Sequence, residues 1–96
     1  VDTFTLVCDD SDAVQAGVRR GRIIAESQNF TRDLVNEPGN KLTPTVLAER
    51  ARQMAAEQGL ACDVLTGDRM KQLGMGALLG VAMGSAEPPA LIVLQY

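Results

Sequence analysis

The side chains able to do chemistry are few and scattered along the sequence. Asp9, Asp10 and Asp12 cluster near its start. Three carboxylates so close together could hold a hard cation through oxygen ligands. The preferred reading of Asp9-Asp10-Ser11-Asp12 is a turn and a helix N-cap beside the positive end of a helix dipole. Lys41 and Lys71 could act only with partners that the sequence does not show. Ser85 has neither a histidine base nor the GxSxG setting of a nucleophile elbow. There is no histidine. That excludes a Ser-His-Asp triad, a Cys-His pair and a His-ligated zinc site within these residues. Cys8 and Cys62 lack CxxC spacing, so buried free thiols in a reducing cytosol are expected in place of a disulfide framework.

Glycine-rich phosphate cradles fare no better. Gly74-Met75-Gly76-Ala77-Leu78-Leu79-Gly80 is close to a dinucleotide fingerprint, but its third glycine falls one residue late. No strand runs directly into its first glycine either. A packing segment is the better reading. The GxxxxGK[ST] pattern is absent from the sequence.

Composition narrows the classes further. Of 96 residues, 46% are hydrophobic and 22% charged, which suits a folded chain and argues against disorder. A chain this short buries only roughly 60–65% of its unfolded surface, so stability is marginal unless something covers an exposed face. The net charge of −3 makes nucleic-acid binding a poor expectation. Arg19, Arg20 and Arg22 read as a solvated helix face. The apolar run Met75–Met83 is too short to span a bilayer, so no membrane partner is expected. The sequon at Asn29-Phe30-Thr31 falls inside a helical pattern and carries little meaning.

The elements follow from periodicity. Thr3, Thr5 and Val7 alternate with Phe4, Leu6 and Cys8, which predicts a strand over 1–8. A helix is expected from Asp12 to about Val35, with Ile23, Phe30 and Leu34 on one face and Ile24, Thr31 and Val35 beside it. Its length suits a spine between domains. Asn36-Glu37-Pro38-Gly39-Asn40 should stop it, because Pro38 lacks an amide hydrogen and disfavours helical geometry at Glu37. Thr43 as N-cap and Pro44 at the first helical position open a second helix. Its apolar face is expected at Leu47, Ala51, Met54, Ala55 and Gln58, and Gly59 ends it. A strand over 60–65 follows, then a short helix capped by Asp68 and running through Leu73, ended by Gly74. Met75–Met83 should form another short helix, and 90–96 the last strand. The fold class is α/β, with sheet direction left open. Because both chain ends carry strand-like, core-like sequence, a piece of a longer protein is expected.

Three longer strings carry a resemblance. Arg32-Asp33-Leu34-Val35-Asn36-Glu37-Pro38-Gly39-Asn40, followed by Leu42-Thr43-Pro44-Thr45, is the first. Met70–Ser85, with its LGMGALLGV core, is the second, and Pro88-Pro89-Ala90-Leu91-Ile92-Val93-Leu94-Gln95-Tyr96 is the third. In this order and spacing they resemble the leucyl aminopeptidase family, over about residues 14–96. The resemblance implies part of a three-layer zinc-exopeptidase-like domain: a long N-terminal helix, then helix, strand, short helices and strand. Residues 1–12 would be the tail of an N-terminal domain. Residues 13–37 would be the interdomain connector, and residues 38–96 the first α/β unit of the catalytic domain.

The resemblance also implies a function. Family members remove N-terminal residues, leucine preferred, from peptides with two divalent metals, zinc or manganese, in the cytoplasm, usually as homo-hexamers. Partners would be peptide substrates and the remainder of the catalytic domain. In the family's order, the metal-binding lysine and the first aspartate come shortly after the third string. No catalytic, metal or substrate-binding residue is therefore assigned within 1–96, and no tight metal binding is expected. Asn36, Pro38 and Asn40 match the motif as shapers of the joint after the long helix. The alternative is a non-catalytic scaffold or assembly module of the same fold.

Overall fold

A computed structural model describes residues 3–96. The chain divides into two compact units, one ending at Asn36 and one of Glu37–Tyr96.

In the first unit, helix α1 spans Asp12–Asn36. The Ser11 hydroxyl accepts the Val14 amide at 3.4 Å, and Gln15 Nε2 donates to Asp10 at 2.6 Å. Ser11 within the acidic run thus caps the helix. Thr3–Cys8 forms no strand, contrary to its alternating pattern. A strand needs a ladder partner, and the two strands of the structure pair with each other. Phe4 and Val7 are exposed accordingly, and so is Cys8, which was expected to be buried. Val1 and Asp2 lie outside the described residues. No residue of α1 is buried, and Ile23, Ile24 and Val35 are at least half exposed.

The second unit runs α2 (Pro44–Gln58), β1 (Ala61–Thr66), α3 (Gly67–Gln72), α4 (Gly76–Ala82) and β2 (Ala90–Gln95). Thr43 caps α2 by accepting the Val46 amide at 3.3 Å, with Pro44 at the first position. The strands are antiparallel, in register from Ala61 opposite Gln95 to Thr66 opposite Ala90. Helix α2 packs against both strands, and α3 contacts β1 and α4.

The core is narrow: Ala48, Ala51, Ala55, Leu65 and Met70. The buried stripe of α2 is thus centred on its alanines. Leu47 and Met54 are half-buried at its margin, and Gln58 is exposed. Small side chains let the helix lie close to the sheet, because interaxial distance follows the residues at the contact. Met70 of α3 is wholly buried, and its unbranched, adaptable side chain suits an irregular interior position. Helix α3 starts two residues earlier than an Asp68 cap implies. Thr66 is its N-cap, without a side-chain bond, and Asp68 lies in the first turn.

Two turns are built alike. Gly59 has φ +69° and Gly74 φ +72°. After each, the next amide reaches back five residues: Leu60 to Ala55 at 2.8 Å, and Met75 to Met70 at 3.0 Å. This is the Schellman closure, which favours glycine at the left-handed position. Nothing would crowd a Cβ at Gly59, so its backbone angle alone demands glycine. We expect Gly59→Ala to cost about 1 kcal/mol in urea unfolding. Gly17→Ala, in open space on α1, should gain helix stability of about 1 kcal/mol. Equal effects of the two substitutions would contradict this reading.

Candidate functional site

Lys71 on α3 stands 3.6 Å from Asp68, one turn back on the same helix. Arg69 stands 3.5 Å from Asp63 of β1. All four side chains are more than half exposed, so water and salt screen both pairs and leave them little energy. Lys41 lies exposed in the turn before α2, where its amide donates to the Pro38 carbonyl at 2.8 Å. The structure does not bring Lys41 and Lys71 to carboxylates arranged for catalysis.

Ser85 serves its own loop. Its hydroxyl accepts the Glu87 amide at 3.1 Å, a local turn bond. Cys62 is half-buried in β1, and Cys8 is exposed in the segment before α1; neither is in a disulfide. On α1 the Arg22 guanidinium donates to Glu26 at 2.7 Å. That hydrogen bond, then the nearby negative charge, raises its pKa above the ordinary value. Arginine is charged at neutral pH in either case, so the shift provides no acid or base. A shallow groove on α1 is lined by Ile23, Ile24, Ser27, Gln28, Thr31 and Arg32. Its two hydroxyls are already committed, Ser27 to the Ile23 carbonyl and Thr31 to the Ser27 carbonyl.

Among the described residues, no three His, Cys, Asp or Glu side chains come together as a metal site. No helix of the described residues is long and apolar enough to cross a membrane. The described side chains therefore offer turns, caps and surface pairs, and no nucleophile with a base in reach.

Comparison with known proteins supplies what the geometry lacks. The family model for the catalytic domain of the cytosol aminopeptidase family matches residues 29–96. The chain belongs to the cytosol aminopeptidase family. It is 62% identical over 96 residues to a probable cytosol aminopeptidase of Solibacter usitatus, covering 100% of this chain and 20% of that relative. It is 44% identical over 93 residues to a protein of the same name from Bacillus subtilis, covering 97% of this chain and 19% of the relative. For another from Aquifex aeolicus the identity is 49% over 82 residues, or 85% and 17% of the two chains. The chain thus spans about a fifth of the length of the curated relatives it matches. No solved structure matches at comparable stringency.

The family match begins inside α1 and takes in all of the second unit. The glycine-rich string lies at the end of α3 and along α4, and the apolar string is β2. In the Asn36–Asn40 motif, Asn36 ends α1, and the Pro38 carbonyl accepts the Lys41 and Leu42 amides at 2.8 and 3.0 Å. With no base near Ser85, a fluorophosphonate probe should leave it unlabelled in mass spectrometry. Stoichiometric labelling there would contradict this geometry.

Proposed function

We propose that these 96 residues are a framework portion of a metal-dependent aminopeptidase of the cytosol, whose catalytic groups belong to other parts of the protein. The observation that carries this is the match to the family's catalytic domain over residues 29–96, without a converging donor set among the residues described. The parent enzyme would remove N-terminal residues from peptides, leucine preferred. Its two divalent metals, zinc or manganese, would polarise the scissile carbonyl and activate water. The donors described here do not fit such a centre, so no step is routed through them.

In this reading, residues 1–12 end an N-terminal domain, 13–37 connect, and 38–96 begin a three-layer catalytic domain. The exposed apolar side chains Leu73, Leu78, Val81 and Met83 support a surface that the rest of the catalytic domain covers. The parent would act as a homo-hexamer.

The purified 96-residue chain should show no hydrolysis of leucine p-nitroanilide with added manganese. Turnover that co-purifies with the chain would overturn the framework role. Calorimetry should find only weak manganese binding. Tight one-to-one or two-to-one binding would place ligands within the chain, against the proposal.

A further inference from the structure

The turn Glu37–Leu42 carries the centre of the first family string, yet it is lightly held. Pro38, Gly39, Asn40 and Lys41 are exposed. Its backbone closes through two amides that share one acceptor, the Pro38 carbonyl. On its downstream side the Thr43 cap ties the chain to α2. On its upstream side the tie is electrostatic. Arg50, thirteen residues further on, donates from its guanidinium to Glu37 Oε1 at 2.7 Å. These side chains are only 29% (Glu37) and 36% (Arg50) exposed, the most enclosed ion pair among the described residues. Enclosure weakens screening, and a charge-assisted hydrogen bond is stronger than a neutral one. Arg50 sits on α2 between Ala48 and Ala51, which are buried, so its backbone is a rigid anchor.

We propose that the Glu37–Arg50 pair is an electrostatic latch. Closed, it fixes the turn onto α2. Open, it frees the turn while α2 and the strands stay folded. Salt or a competing charge then loosens this one segment without unfolding its unit.

Amide hydrogen exchange read by NMR on the 96-residue chain tests this. Arg50→Ala and Glu37→Gln should each speed exchange at Lys41 and Leu42 by about three- to tenfold, leaving Ala51, Ala55 and Val64 unchanged. Arg50→Lys, which keeps the charge but loses the fork, should fall between. Should a variant unfold, the unmodified chain still decides. Sodium chloride at about 0.5 M, where screening is strong, should speed Lys41 and Leu42 relative to Val64. Exchange at the turn that ignores both salt and substitution, or acceleration spread equally over all these amides, would overturn the latch.

Discussion

How closely α2 can approach the two strands decides the rest of the Glu37–Tyr96 unit. Ala48, Ala51 and Ala55 are buried where α2 meets the strands, and Met70 of α3 is wholly buried. A leucine in place of any of these alanines would overpack the contact, which typically costs about 1–3 kcal/mol. The capping devices serve the same contact. Thr43 and Pro44 set where α2 begins, Gly59 sets where it ends, and the left-handed turn at Gly59 delivers the chain into β1. The second left-handed turn, at Gly74, separates α3 from α4 after Met70 has entered the core.

Among the described residues, five buried side chains make a small core. A unit of this size leaves a large share of its surface exposed, and the exposed Leu73, Leu78, Val81, Met83 and Leu94 reflect that. Helix α1 is more extreme, with no buried residue despite Ile23, Ile24 and Phe30. In the proposed framework role, the rest of the parent protein would cover these side chains. Asp63, Asp68, Arg69 and Lys71 stand in water, where charges have ordinary neighbours and little to act on.

Much of this was legible in the residues. The Thr43-Pro44 start, the Gly59 and Gly74 stops and the two apolar strands follow from local backbone chemistry, and they lie where the pattern puts them to within about one residue. Long-range pairing was not legible. The antiparallel register of β1 and β2 depends on how α3 and α4 bring the chain back, and periodicity carries no direction. The alternation over Thr3–Cys8 failed because a strand exists only with a partner. The α2 face was legible in part: the spacing named Ala51 and Ala55, which are buried, but missed buried Ala48 and included Gln58, which is exposed. For the candidate site, the missing histidine excluded several chemistries at once. The family strings, which no periodicity argument would produce, supplied the family.

The framework role is tested most directly in a chimera. These 96 residues would replace the matching segment of the Solibacter usitatus relative, to which they are 62% identical, and leucine p-nitroanilide turnover would be measured. The chimera should be active. Lys41→Ala, Lys71→Ala, Asp63→Ala and Asp68→Ala within it should each keep kcat/KM within about tenfold of the parent chimera. A variant that folds and assembles normally yet loses about a thousandfold, the scale of a lost transition-state contact, would show that this segment supplies catalytic chemistry after all.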